Sequence, residues 1–213
     1  MLLFNLSCVY KMIIIKNKRC KPENILKKYP GAIICDVTSQ ATDDLRKLSP
    51  FFPHYGIPVP FSPGYTAACV EGIWQGLKVF EDSDVDISMF NNDTMHNIKR
   101  TVKRFGKPLG HRNGVVGTEL LGYIEARLQI YIPTYKWILE NKVPNIINRL
   151  KEASRRKTIV LLDYDTNDDV YNTKKPLSHA SLIKAYVEGK FPFSDQKENV
   201  AQPIQPTLFD SFD

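Results

Sequence analysis

The pattern of hydrophobic and polar positions predicts a chain that contains both helices and strands. Continuous apolar runs predict buried strands at 13–16, 32–37 and 158–162. Apolar residues spaced by three and four positions predict helices with one buried face. These predicted helices span 22–28, 68–80, 94–104, 118–130, 134–141, 145–155 and 178–187. The pattern therefore predicts a compact α+β fold, mostly helical, with a small sheet.

Three segments fall outside this pattern. Residues 38–66 are rich in turn residues, and an ordered loop of this length in a compact domain is usually functional. Residues 1–11 precede a second methionine, Met12, and are interpreted as an upstream extension or an extra edge segment. Residues 193–213 are polar and contain proline, which predicts a disordered tail. A single domain is thus expected over 12–192.

Composition narrows the class of protein. The 213 residues are 43% hydrophobic and 24% charged, which are proportions typical of a globular protein. Lysine and arginine number 29 against 23 acidic residues, and a surplus of this size is compatible with a nucleic acid or phosphorylated partner without requiring one. No apolar stretch reaches the roughly 18 residues of a membrane span. The four cysteines lack metal-binding spacing, which favours reduced thiols in a cytoplasm, that of the host if the protein is viral.

The predicted helix 68–80 carries the first candidate site. Glu71, Gln75 and Lys78 lie at i, i+4 and i+7, on one stripe of a helix. Trp74 lies on the neighbouring apolar stripe, and a carboxylate beside an aromatic wall has a raised pKa because it loses water. Such a group can perform general acid–base catalysis near neutral pH. The alternative is a solvated face with a weak ion pair.

A basic run follows this helix. Its members are Lys99, Arg100, Lys103, Arg104, Lys107, His111 and Arg112. The run ends in a glycine-bounded loop over 106–112 that lacks the spacing of a P-loop, although its cations suit phosphate. The alternative is a solvated basic face.

Carboxylates follow the predicted strand 158–162. Asp163 and Asp165 stand at its C-terminal end, where side chains often point into a site. The segment lacks the glycine and the final glutamate of a calcium loop, so no metal is predicted. Hydrogen bonds to a ribose and a turn stabilised by Asp side chains both fit. No GxSxG motif or paired histidines indicate a Ser or Cys hydrolase.

Several segments resemble the NADAR superfamily. The family pattern has an "lSnFyp" segment, a short strand and a helix with "vEh.fQ..K". Here these correspond to LSPFFP at 48–53, IPV at 57–59 and VEGIWQGLK at 70–78. FGKPLGHR at 105–112 is similar to the family's segment with glycine and arginine. The resemblance covers about 45–170 and implies a compact, mostly helical α+β fold. Gly72 stands where many members have His.

Members of this superfamily cleave N-glycosidic bonds of ribose-phosphate compounds. Some act on riboflavin-pathway intermediates, and some remove ADP-ribose from guanine bases in DNA. The resemblance implies an N-glycosidase without a cofactor, acting on the C1′–N bond of an ADP-ribosylated or modified nucleobase. One alternative is a non-catalytic accessory or anti-defence protein that binds nucleotide or ADP-ribose. Another is a metabolic glycosidase with free nucleotide substrates.

The resemblance also implies roles for individual residues. Glu71 takes the place of the family's helix glutamate, which stabilises an oxocarbenium-like state or orients water. The other catalytic candidates are Gln75, Lys78, Asp163 and Asp165. The substrate-binding candidates are Phe52, Trp74, Lys107, His111 and Arg112.

The C-terminal segment resembles a sliding-clamp-binding peptide. Such peptides have a glutamine, an aliphatic residue three positions later and aromatic residues near the end. The matching residues are Gln205, Leu208, Phe209 and Phe212. A tether of this kind would present apolar side chains to a pocket on the clamp. The alternative is a chain end that folds back on the core.

Overall fold

The computed structural model describes residues 12–191. The predictions for 1–11 and 193–213, including the clamp-binding peptide with Gln205, Leu208, Phe209 and Phe212, lie outside the described residues. Helix accounts for about 38% of the chain and strand for about 16%, so helix predominates and the predicted α+β class is confirmed. No helix within 12–191 is long and apolar enough to cross a membrane.

A parallel three-stranded sheet lies at the centre of the fold. It consists of β1 (Ile13–Asn17), β8 (Ile159–Asp163) and β2 (Ile33–Asp36), with β8 in the middle. Every residue of β8 is buried, as its continuous apolar sequence predicts. Because β1 and β2 both run parallel to β8, the carboxyl ends of all three strands meet at one edge.

Helices cover both faces of this sheet. Helix α1 (Pro22–Lys28) places Ile25 against Val160 and Leu162 of β8. The opposite face belongs to the larger core. The helices α5 (Ile132–Asn141), α6 (Pro144–Arg156) and α7 (His179–Val187) contribute side chains to that core. The predictions for β1, α1, α6, β8 and α7 are confirmed to within two residues.

The remaining elements surround the long loop and the basic run. The two-stranded sheet pairs β3 (Ile57–Pro58) with β4 (Thr66–Ala67), and 3-10 turns span Asp44–Leu48 and Ile87–Asn91. The antiparallel sheet joins β5 (Lys78–Phe80), β6 (Pro108–Arg112) and β7 (Leu120–Leu121). The helical elements are α2 (Val70–Gly76), α3 (Val102–Phe105), α4 (Tyr123–Ala126) and a π-helical turn at Arg127–Tyr131.

Three predicted helices are wrong in extent. The 68–80 helix ends at Gly76, because the next residues form β5 and pair with β6. The 94–104 helix shrinks to α3, because Met95 and Asn97 take positive φ angles of 61° and 55° that no right-handed helix contains. The segment predicted as a helix over 118–130 begins instead with β7. The chain then stays helical past Pro133, which sits at the start of α5, so the gap between the predicted helices 118–130 and 134–141 is absent.

Candidate functional site

A cavity of about 480 Å³ lies at the carboxyl edge of the parallel sheet. The sheet contributes the residues that follow β2 and β8, among them Thr38 and Asp165. Helix α2 forms the opposing wall with Glu71, Trp74 and Gln75. Ligand sites in α/β sheets commonly lie outside the carboxyl ends of parallel strands, where neighbouring strands diverge. The topology therefore places this cavity where a ligand is expected.

Glu71 is fixed on the cavity wall by its backbone and its side chain. Its N–H donates to the Pro50 carbonyl at 2.9 Å, which ties the long loop to the first turn of α2. The Gln75 Nε2 donates to Glu71 Oε1 at 2.9 Å. The Gln75 Oε1 accepts from the Arg100 backbone N–H at 3.0 Å, and this contact sets the amide orientation. Oε2 of Glu71 accepts no hydrogen bond from residues 12–191 and is the atom left for a ligand.

The surroundings of Glu71 raise the pKa of its carboxyl group. Glu71 is only 8% exposed, and burial is the main cause of the shift. The hydrogen bond from Gln75 and the positive charges of Lys99 and Lys78 act in the opposite direction without cancelling it. The carboxyl group therefore exchanges a proton closer to neutral pH than an ordinary glutamate does, as general acid–base catalysis requires.

Two lysines give the cavity a positive charge. Lys78 enters from β5 and Lys99 from the segment before α3. The Lys78 Nζ lies 5.1 Å from the centre of the Phe80 ring, and the Lys99 Nζ lies 6.0 Å from that of Phe51. Burial, together with repulsion from Arg100 and Lys99, lowers the pKa of Lys78 despite the attraction of Glu71. Within the described part of the chain neither ammonium group forms an ion pair, so both can receive an anion.

Aromatic rings form the apolar part of the wall. Trp74 is centred 3.8 Å from the His111 ring, 5.6 Å from Tyr131 and 5.9 Å from Tyr123. Tyr123 and Tyr131 also line the cavity, whereas His111 is buried behind Trp74. Burial, with a smaller contribution from Lys78, lowers the pKa of His111 to about 3, so its ring is neutral.

Asp163 borders the same cavity, but its oxygens are already occupied. Oδ1 accepts from the Tyr164 N–H at 2.7 Å, and Oδ2 accepts from the Ser178 hydroxyl at 2.7 Å and from His179 Nδ1 at 3.0 Å. The His179 Nε2 lies 2.8 Å from the Val37 carbonyl oxygen. Because both ring nitrogens face acceptors, both carry hydrogen and the ring is assigned as a cation.

The pKa values of this pair move in opposite directions. Burial would raise the pKa of Asp163, but the His179 charge and the hydrogen bonds outweigh it and lower that pKa. Burial would lower the pKa of His179, but Asp163 and the Val37 carbonyl outweigh it and raise that pKa. The pair therefore braces the ends of β2 and β8 against the start of α7.

Two buried arginines hold the cavity walls. The Arg100 guanidinium donates to the Gln75 and Lys78 carbonyls at 3.1 and 2.5 Å and so fixes the end of α2. The Arg127 guanidinium donates to the Val170 and Lys175 carbonyls at 2.7 and 2.6 Å and holds the loop before α7. Arg100 was predicted only as one cation of the basic run, and Arg127 was not predicted as a site residue. The sequence does carry one signal for Arg127, which is a single cation between apolar residues of a predicted helix.

Comparison with known proteins assigns the chain to a family. Residues 17–183 match DUF6939, a family of unknown function. The chain belongs to the DUF6939 family. Neither curated proteins nor solved structures give a match. Because every residue lining the cavity falls within 17–183, the cavity lies in the part of the chain that DUF6939 defines.

The DUF6939 structure brings together part of the predicted site. The sequence-predicted residues on the cavity wall are Glu71, Trp74, Gln75, Lys78, Asp163 and Asp165. Lys78 arrives from a strand rather than from the predicted helix stripe. Lys99, predicted as a member of the basic run, also lines the cavity. Phe51, Tyr123 and Tyr131 were not predicted as site residues, and they reach the cavity through long-range packing.

Four predicted substrate-binding residues lie outside the cavity. Phe52 packs on His54, with ring centroids 4.9 Å apart, while its neighbour Phe51 faces the cavity. His111 is shielded by Trp74. The other two belong to the surface beside β6. Lys107 is exposed and donates its backbone N–H to Glu81, and Arg112 is paired with Asp84 at 2.7 Å.

Proposed function

We propose that this DUF6939 protein is an N-glycosidase that hydrolyses the C1′–N bond of a modified nucleobase or nucleotide in the cavity. The observation that carries the proposal is Glu71, a buried carboxyl group with one oxygen held by Gln75 and the other open to the cavity. Its raised pKa suits a group that both stabilises positive charge and accepts a proton.

Cleavage of a C1′–N bond places positive charge on the sugar, and a nearby carboxylate stabilises that charge. In the proposed reaction the C1′–N bond breaks, and its electron pair leaves on the base nitrogen, which takes a proton from solvent. Water adds to C1′ and gives a proton to Glu71 Oε2. Lys78 and Lys99 hold the phosphate, in place of Lys107 and Arg112, which lie elsewhere. The sequence resemblance to NADAR enzymes supports the same reaction class.

The test is the substitution Glu71→Gln, which keeps the size and the hydrogen bond from Gln75 but removes the charge. We expect cleavage to fall by about 100-fold or more. Chromatography measures the ADP-ribose released from an oligonucleotide ADP-ribosylated on guanine and the base released from free nucleotides. Glu23→Gln, at an exposed position on α1, is the matched control and should retain full activity. Equal activity of both variants would contradict the catalytic role of Glu71.

One observation favours a second candidate, a non-catalytic nucleotide-binding protein. A Cβ atom at Gly72 would lie 2.6 Å from the Met89 carbonyl oxygen, so the His found in many NADAR members cannot be accommodated without displacing the 3-10 turn at Ile87–Asn91. A pure binding protein would cleave neither substrate, and Glu71→Gln would change only its affinity for nucleotide.

A further inference from the structure

Two aromatic side chains on the cavity wall are each supported from behind. Trp74 contacts the His111 ring at a centroid distance of 3.8 Å and an interplanar angle of 36°. Tyr123 has the Arg127 guanidinium 4.4 Å from its ring centre, and its hydroxyl oxygen accepts from Arg127 at 3.2 Å. The Trp74 and Tyr123 rings meet at 63°, with centroids 5.9 Å apart. The two rings therefore form a corner of the cavity, referred to below as the aromatic corner.

The supports of the aromatic corner are themselves buried. Arg127 is 2% exposed and is bound to backbone carbonyls of the loop before α7. His111 is 1% exposed, and its ring is neutral because burial lowers its pKa to about 3. Rings held in this way lose little freedom when a ligand stacks on them, and this preorganisation increases affinity.

Core packing does not account for Tyr123. A tyrosine that served only the core would be covered, yet Tyr123 is 39% exposed and its hydroxyl already has a partner. Its ring remains accessible at the cavity beside Trp74. Flat aromatic surfaces of this kind bind planar rings by stacking, largely independently of base identity. Lys78 and Lys99 supply cations for a phosphate in the same cavity.

We propose that the aromatic corner of Trp74 and Tyr123 binds the nucleobase of a nucleoside phosphate. This inference rests on the proposed function for the location of the substrate, but it concerns binding and not bond cleavage. The expected ligand class is a purine or pyrimidine nucleotide, with the base against the aromatic corner and the phosphate toward the lysines. A sugar phosphate without a base would lack the stacking contribution.

Tryptophan fluorescence tests the aromatic corner directly. The chain has two tryptophans, and Trp137→Phe in the full chain leaves Trp74 as the only one. AMP should quench Trp74 saturably, whereas ribose 5-phosphate and inorganic phosphate should not. Adding Tyr123→Ala should raise the dissociation constant for AMP by about tenfold. Tyr123→Phe keeps the ring and should raise this constant much less. A Trp74→Phe protein that retains Trp137 should show no quenching by AMP.

The outcomes separate this inference from the proposed function. Equal quenching by AMP and ribose 5-phosphate would overturn stacking, as would an unchanged AMP affinity in Tyr123→Ala or the absence of quenching at millimolar AMP. The comparison of AMP with ribose 5-phosphate needs no change at Tyr123, so it stands even if Tyr123→Ala folds poorly. If Glu71→Gln releases base normally while AMP still quenches Trp74, the catalytic proposal fails and the base-binding one holds.

Discussion

Glu71 and Asp163 are both buried carboxyl groups on the wall of one cavity, yet their environments drive their pKa values apart. Glu71 is 8% exposed and Asp163 is 5% exposed. Burial raises the pKa of Glu71, whereas the His179 cation and three hydrogen bonds lower that of Asp163 against its own burial. The two carboxyl groups are therefore distinguished by their hydrogen-bond and ionic partners rather than by burial. Glu71 has few partners and can take part in a reaction, whereas Asp163 has several and stabilises the fold.

This contrast also reassigns Asp163. Its position after a buried strand predicted either a hydrogen bond to a ribose or a structural turn, and the NADAR resemblance implied a catalytic role. Its oxygens are bound by Tyr164, Ser178 and His179. Glu71 keeps one oxygen without a partner, and this lowers the stability of the fold. A buried carboxylate without an ion pair raises the free energy of the folded protein. Functional sites often carry such a cost, which the rest of the fold offsets.

The largest expected effect is the loss of stability in Asp163→Asn. The change leaves the buried His179 cation without its counter-charge, and breaking one partner of a buried ion pair costs roughly 3–5 kcal/mol. Glu71→Gln breaks no ion pair and keeps an oxygen for Gln75, so its free energy of unfolding should equal or exceed that of the unmodified protein. Urea unfolding followed by circular dichroism measures both variants.

Asp165→Asn is the matched control for this prediction. Asp165 is half-buried two residues along the chain and borders the same cavity. Its substitution should change stability by less than about 1 kcal/mol, since it removes no buried ion pair. If Asp163→Asn proved as stable as Asp165→Asn, the ion pair between Asp163 and His179 would make no net contribution to the free energy of unfolding.

A smaller effect is expected in the pH dependence of stability. The folded pKa of His179 is raised, so its contribution is complete below the unfolded value of about 6.5 and is lost as pH rises through the folded value. The folded pKa of Asp163 is lowered, so its contribution is present above about 3.9 and is lost as pH falls through the folded value. The Asp163–His179 pair should therefore contribute most to the free energy of unfolding between about pH 4 and 6.5.

The measurement is the difference in unfolding free energy between the unmodified protein and Asp163→Asn across pH 5 to 9. This difference should shrink as pH rises past the folded pKa of His179. His96→Gln, at an exposed histidine, is the control variant. A difference that stays constant or grows with pH would mean that His179 is not the cation assigned from its geometry.

The parts of the site that the sequence predicted depend on local spacing. Glu71 and Gln75 lie four residues apart on a helix, and helical geometry alone brings them into contact. The buried strand β8 was likewise visible as an apolar run. The sequence placed Lys99 in the basic run, but it could not predict that this cation, rather than Lys107 or Arg112, reaches the cavity. Tyr123 could not be predicted either. The positive φ angles at Met95 and Asn97 and the π-helical turn after α4 decide where these segments lie.

The smallest expected effect concerns Arg112, which the sequence predicted to bind phosphate. Its side chain is paired with Asp84 at the surface, where the two are 26% and 56% exposed, and such pairs contribute about 0–1 kcal/mol. Arg112→Gln should therefore change stability by no more than this and kcat/KM by less than about twofold. Lys99→Gln, which removes a cation from the cavity, should lower kcat/KM by about tenfold. Steady-state kinetics on a phosphorylated nucleoside compares the two variants, and a larger loss for Arg112→Gln would place the phosphate at the surface beside β6 rather than in the cavity with Glu71.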